Sequence, residues 1–181
     1  GNELTALAAA FAAPPARRVR VLEIGAGTGG TTTAVLEALS PERTDYWFTD
    51  VSPAFLDAAR QRFPGVETRL LDIERPLGVQ DVPEATFDLV LAANVLHATA
   101  DLDAALDHAA AALRPGGSLV LLESTTQGGW IDLVFGLTEG WWRFADHALR
   151  PEYPLLAEPA WRRLLDAKGF ECLAQIGRAH V

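Results

Sequence analysis

The chain has 181 residues, 49% of them hydrophobic and 22% charged, and 15 Lys and Arg against 24 Asp and Glu give a formal net charge of −9. A chain of this length buries about 70% of the surface its unfolded form exposes, so one compact domain needs no disulfide or metal staple. The acidic balance disfavours a nucleic-acid partner, the lone Cys172 excludes a disulfide framework or Cys-based zinc site, and no apolar run approaches the ~18 residues of a membrane span. These features describe a soluble, acidic domain of a reducing, cytoplasmic setting, with no membrane partner. The chain contains no methionine, which reads as a piece of a longer polypeptide.

Strands and helices alternate along the chain. Residues 1–12 read as linker. Residues 19–24 form an apolar run expected as a strand covered on both faces. A glycine-rich turn over 25–30 leads into a predicted helix over 31–39, stopped by Ser40 and Pro41. The second strand is 46–50, and Ser52 before Pro53 reads as an N-cap followed by proline at the first helical position. That helix reaches about Phe63, and Pro64 and Gly65 end it before a third strand over 66–73. Residues 87–94 form the fourth strand. Asp101 then caps a helix whose Leu102, Leu106, Ala109 and Leu113 make one apolar stripe. Pro115, Gly116 and Gly117 turn the chain into a fifth strand over 118–123. Residues 130–144 are apolar on nearly all sides and read as a covering helix packed on the sheet. A last helix starts at Glu158 and Pro159, carries Trp161, Leu164, Leu165 and Lys168 on one side, and closes at Gly169. Residues 170–176 are expected as a sixth strand and 177–181 as a frayed end. The pattern predicts a single α/β domain with a doubly wound, mostly parallel sheet.

Gly25, Gly27 and Gly30 satisfy G-x-G-x-x-G between a strand and a helix, with Asp50 twenty residues beyond Gly30. By spacing alone this fits a nicotinamide-dinucleotide site as well as any other nucleotide site, the bland alternative being a tight turn with no ligand. Glu23 lies two residues before Gly25, where a buried anion repels a pyrophosphate and suits an ammonium or sulfonium group. Asp72 closes the third strand, where a carboxylate can accept from an adenine amine. Three acidic side chains at adjacent strand ends describe a ligand with positive charge, ribose and adenine, which is S-adenosylmethionine. Each carboxylate could instead cap a following turn, and for Asp72 alone the two readings balance.

His97 follows the fourth strand and Glu123 ends the fifth. Neighbouring strands of an open α/β sheet direct their carboxyl ends into one ligand crevice, so the two side chains are expected to meet there. A carboxylate beside His fixes its tautomer and stabilises the imidazolium formed when a proton is taken. Such a base can remove a proton from a carbon flanked by two carbonyls. His108, His147 and His180 lack this setting, and no metal-ligand spacing is present. Arg143 to Asp146 reads as a salt-bridged surface end.

The segment from Val21 to Gly29 resembles the first motif of class I methyltransferases. Three later stretches resemble the methyltransferase domains of modular polyketide synthases: Phe48 to Pro53, Phe87 to Thr99, and Phe135 to Phe144. The resemblance covers about residues 19–176. It implies a class I Rossmann-like core and cofactor contacts from Glu23, Gly25, Ala26, Gly27, Thr28, Gly29, Asp50, Val51, Asp72, Ile73 and Asn94. It also implies a catalytic pair of His97 and Glu123, because polyketide carbon-methyltransferases use a His–Glu pair. Trp141, Trp142 and Phe144 would wall a tunnel for an acyl chain and its pantetheine arm. The expected reaction is methylation of the α-carbon of a β-ketoacyl thioester. The expected partners are an acyl carrier protein bearing a phosphopantetheine-linked polyketide intermediate, and neighbouring synthase domains. The family's carbon-methylating domains add an N-terminal lid, which is not expected within this sequence because the first strand is reached by residue 19, and no seventh strand is evident. Three alternatives stay open: an oxygen-methyltransferase acting on a β-hydroxyl or enol, a catalytically inactive structural domain, and a dehydrogenase.

Overall fold

The described residues form five parallel strands: β1 (Val19–Ile24), β2 (Thr44–Asp50), β3 (Glu67–Leu70), β4 (Phe87–Ala93) and β5 (Leu113–Leu122). The computed structural model describes residues 17–173. The strand order is β3-β2-β1-β4-β5, so the chain winds outward from β1, then crosses back and continues from β4. The reversal lies between β1 and β4, which pair from Val21 opposite Leu89 to Ile24 opposite Ala92.

Alternation along each strand sends side chains to two covered faces. On one face Leu22, Ile24, Phe87, Val90 and Ala92 pack against helix α3 (Leu102–Ala112) through Leu102, Ala105, Leu106 and Ala109. Trp161 and Leu164 of helix α5 (Glu158–Ala167) join them. On the other face Val21, Tyr46, Leu89 and Leu91 meet Val35 of helix α1 (Gly30–Ala38). Phe48 packs beside them on Leu56 and Ala59 of helix α2 (Pro53–Arg62). The Asp101 side chain accepts from the Ala104 N–H at 3.1 Å, so this cap forms as expected. Ser52 occupies its cap position without a side-chain cap bond; its own N–H donates to Asp50 Oδ1 at 2.8 Å.

Four expectations are corrected. The third strand stops at Leu70, because β3 is an edge strand and its partner β2 ends at Asp50. Beyond it the Asp72 N–H and C=O both pair with the Gln80 side chain, at 2.9 Å each. The turn at Pro115, Gly116 and Gly117 is a bulge inside β5, since Leu113 already pairs with Phe87 before Ser118 pairs with Leu89. The covering helix over 130–144 is instead a six-residue helix α4 (Gly129–Val134) and a single 3₁₀ turn, Glu139–Trp142. Glycine disfavours helix, and Gly136 and Gly140 interrupt the run; Trp130, Leu133 and Leu137 are left exposed rather than packed on the sheet. Residues 170–173 form no strand, and 174–176 lie outside the described residues, as do the expected linker over 1–12, the frayed end over 177–181 and His180.

At the amino end of β4, Asp88 is buried among cations. Its carboxylate accepts from Arg17 and Arg114, and from the Arg20 backbone N–H at 2.9 Å. Burial pushes this carboxyl up, but the hydrogen bonds from Arg17, Arg20 and Arg114 outweigh it and hold it below the usual range. A depressed folded-state value stabilises the fold above the unfolded-state pKa, and that stabilisation is lost as pH falls through the folded value. Asp88→Asn is therefore expected to cost about 2 kcal/mol in urea unfolding at pH 7. The difference from wild type should shrink once the pH falls below about 4.

Candidate active site

The site is assembled at the carboxyl ends of β1, β2, β4 and β5. The glycine loop leaves β1 at Gly25 (φ +60°), and a Cβ there would lie 2.3 Å from Val95 Cγ2. Glycine is required because the loops after β1 and β4 touch at the switch point. Gly29 (φ +76°) lies equally tight under the Phe63 ring, where a Cβ would come within 2.6 Å. At Gly27 a Cβ would meet only the Gly25 carbonyl oxygen at 4.0 Å, so the loop is open on that side.

Asp50 ends β2 and fastens the loop, its Oδ2 accepting from Gly27 N at 2.9 Å. The next residue, Val51, is 64% exposed. Ala26 donates its N–H to the Thr49 carbonyl at 2.9 Å, and the Thr28 carbonyl accepts from Arg62 Nη1 at 2.7 Å. Asp72 is half-buried, with Oδ1 accepting from Glu74 N at 3.0 Å. Ile73 is buried in the core, and its carbonyl is bonded by His108 Nδ1 at 2.7 Å, which gives that histidine a structural place.

Glu23 lies beneath the loop, 1% exposed. Its Oε2 accepts from Thr32 Oγ1 at 2.5 Å and Tyr46 Oη at 2.7 Å. Burial raises the Glu23 carboxyl against these hydrogen bonds, and the nearby Asp50 charge adds to the rise. Burial likewise pushes the Tyr46 hydroxyl up, helped by Glu23, so Tyr46 remains a donor. The carboxylate thus ties β1, the first turn of α1 and β2 together behind the loop.

The expected pair forms. His97 sits on a 3₁₀ turn, Leu96–Ala98, just past β4, and its Nδ1 lies 2.6 Å from Glu123 Oε2. The side chains are 12% and 4% exposed, respectively. Glu123 Oε1 accepts from Leu96 N at 2.8 Å and Val95 N at 3.1 Å. Since a carboxylate only accepts, Nδ1 carries the proton of this contact, so that in the neutral ring the lone pair is on Nε2. Asn94 holds a left-handed conformation at φ +51°. Its Oδ1 accepts from Ser124 N at 3.1 Å, tying the two strand exits together.

The aromatic residues divide. Trp141 is buried with its ring edge-on to His97 at 5.4 Å and stacked on Phe135 at 5.6 Å; its indole N–H is buried without a partner. Trp142 is half-exposed beside Tyr153 and donates to the Gly136 carbonyl at 2.8 Å. Phe144 is buried against His147 and under the Arg150 guanidinium, 5.3 Å from each, so it supports the loop behind His97. Arg143 pairs with Glu74 at the surface as expected, whereas Asp146 pairs with the buried Arg150 rather than at a surface end. Sequence reasoning missed Tyr46, Thr32, Arg62 and Arg150. Tyr46 was legible in principle: it stands opposite Val21 in register, and Val21 shares a face with Glu23. Among the described residues, no group of three or more His, Cys, Asp or Glu could hold a metal ion, and no helix is long and apolar enough to cross a membrane.

Comparison with known proteins agrees with this geometry. A family described as "Methyltransferase domain" matches residues 22–119, more than half of the chain. Polyketide synthase ThaQ of Burkholderia thailandensis is 44% identical over 161 residues, covering 84% of this chain and 8% of that protein. Methyltransferase calH of Penicillium decumbens is 43% identical over 167 residues, covering 88% of this chain and 45% of that protein. The crystal structure of the CurJ carbon methyltransferase superposes with a TM-score of 0.90 at 42% identity, covering 98% of this chain and 49% of that one. The trans-methyltransferase CalH in complex with SAH superposes with a TM-score of 0.81 at 36% identity, covering 92% of this chain and 47% of that one. The chain therefore spans about half the length, or less, of these relatives. With a matching sequence family, a parallel sheet reversing at β1 and β4, and a glycine loop beside a His–Glu pair, the chain belongs to the methyltransferase domain family.

Proposed function

We propose that this domain transfers a methyl group from S-adenosylmethionine to the α-carbon of a β-ketoacyl thioester. The thioester is carried by an acyl carrier protein within a polyketide synthase, whose neighbouring domains are the remaining partners. The observation that carries the proposal is the His97 Nδ1 to Glu123 Oε2 contact of 2.6 Å, next to the glycine loop. The similarity to ThaQ, a polyketide synthase, and to CurJ, a carbon methyltransferase, supports the substrate class.

The residues present suit the cofactor. Gly25, Ala26, Gly27, Thr28 and Gly29 form an open backbone cradle, with no side chain at Gly27 to fill it. The Asp50 carboxylate uses one lone pair of each oxygen on Gly27 and Ser52 N–H groups, leaving others for ribose hydroxyls. Val51 would flank the adenine, Asp72 would accept from its amine, and Ile73, its side chain packed in the core, would border the site through its main chain. Asn94 would border the methyl-donating end, and Glu23 would act from beneath the loop by its negative potential. When bound, the cofactor supplies an electrophilic methyl group on a sulfonium.

The chain's own side chains perform the proton chemistry. His97 Nε2 takes a proton from the carbon between the two carbonyls, and the electron pair of that C–H bond is delocalised as an enolate. Glu123 stabilises the imidazolium through the Nδ1–H bond and holds the ring in the tautomer that leaves Nε2 basic. Trp141 packs on the imidazole and, with Trp142, would line the acyl path; Phe144 would contribute from behind through the same wall.

Two variants test the roles. His97→Ala should lower methyl transfer by about 10²–10⁴-fold while S-adenosylmethionine still binds in calorimetry. Unchanged turnover would refute the base. The product's mass gain, located on carbon for a β-keto substrate and on oxygen for a β-hydroxy one, separates the two transfer chemistries. Glu123→Gln is subtler. Its carbonyl oxygen must stay on the Val95 and Leu96 N–H groups, which turns its NH₂ toward His97 Nδ1. The imidazole is then forced to carry its proton on Nε2, and transfer should fall by about 10²–10⁴-fold with folding and cofactor affinity retained.

A further inference from the structure

We infer that Arg150 is a positioning residue that fixes the backbone carrying His97; the inference rests on the reading of His97 as the base. The turn that presents His97 is weak on its own. It closes through two short-range backbone bonds, Ala98 N to Val95 O and Thr99 N to Leu96 O, each 3.0 Å. Single 3₁₀ turns have poor hydrogen-bond geometry and hold their shape only with outside support.

Support arrives from both sides. Glu123 Oε1 takes the N–H groups of Val95 and Leu96 ahead of the base. Behind it lies the Arg150 guanidinium, whose side chain is 0% exposed. Nη1 donates to the His97 carbonyl at 2.7 Å and to the Pro154 carbonyl at 3.4 Å. Nη2 donates to the carbonyls of Thr99 at 2.8 Å and Ala100 at 3.3 Å. Nε donates to Asp146 Oδ1 at 2.7 Å. The five N–H groups of a guanidinium thus have five acceptors, and three of these belong to residues 97–100.

Asp146 completes the unit. Its Oδ2 accepts from Leu102 N at 3.0 Å, where α3 begins, and the neighbouring Ala145 N–H donates to the Ala100 carbonyl at 2.8 Å. One buried ion pair therefore holds the chain from His97 to Leu102 as a single piece, with Phe144 closing the face of the guanidinium. Taking an arginine fully out of water is costly, and space alone could be filled by an apolar side chain. What the planar fork adds is a fixed set of directions for three carbonyls, which the compact ammonium of lysine does not reproduce. The imidazole is aimed from that backbone, and a misplacement of about 1 Å at a reacting group costs about 10²-fold.

The test is Arg150→Lys in the full chain, read by turnover, by S-adenosylmethionine affinity and by the NMR signal of the His97 Nδ1 proton, assigned by its loss in His97→Ala. Arg150→Lys should lower kcat by about 10–100-fold, keep cofactor affinity within about twofold, and broaden or abolish the Nδ1–H signal. Retention of that signal, with turnover near wild type or with affinity, turnover and thermal stability falling together, would overturn the assignment. If Arg150→Lys does not fold, Asp146→Asn, which keeps the arginine but weakens its anchor, is read the same way. Should the wild-type chain methylate no carrier-bound β-ketoacyl substrate, the proposed reaction fails separately. The Nδ1–H signal then still decides the positioning role, supporting it if lost in the variant and opposing it if kept.

Discussion

The carboxylate of Glu123 is the group on which the site is built. One oxygen meets His97, and the other takes two backbone N–H groups from the residues just before it. Hydrogen bonds to an ionised acceptor are stronger than neutral ones, so a single side chain at the end of β5 sets both the path of the chain leaving β4 and the tautomer of its histidine. Conformation and chemistry are consequences of the same three bonds. The loop cannot relax without disturbing the imidazole, and the imidazole cannot turn without releasing the loop.

The order of the strands explains why this arrangement lies beside a nucleotide-type loop. At the reversal between β1 and β4 the two connections leave in opposite directions, and the loops that begin them pack on each other. They meet at Gly25 and Val95. Behind the first loop Glu23, Thr32 and Tyr46 join β1, α1 and β2; behind the second, Arg150 and Asp146 hold residues 97–102. Each half of the crevice has its own buried polar support, and in both the charged member is almost wholly removed from water.

Legibility in the sequence followed the range of the forces involved. β1, α2, α3 and α5 were readable because their apolar periodicity and caps are local signals, and the strand exits could be placed because parallel winding fixes which ends converge. The His97–Glu123 pair followed from that convergence. The segment over 130–144 misled, because a largely apolar composition indicates burial, whereas glycines at 136 and 140 interrupt the run and Trp130 and Leu137 are left outward. The bulge in β5 depends on pairing with Phe87 some 26 residues earlier, which no local pattern announces. Arg150 was invisible for another reason: most of its acceptors are main-chain carbonyls, and these have no residue type.

β4 also separates two kinds of duty along its length. At its amino end Asp88 gathers Arg17, Arg20 and Arg114, while its carboxyl end leads to Asn94 and His97. At about 3.3 Å per residue these regions lie roughly 20 Å apart. Among the described residues, the electrostatic clasp at the floor of the sheet and the His97 rim at its top share a strand but no side-chain partner. Thermal robustness can accordingly be tuned from the floor, by reworking the cationic cluster, with the geometry of the rim left as it is.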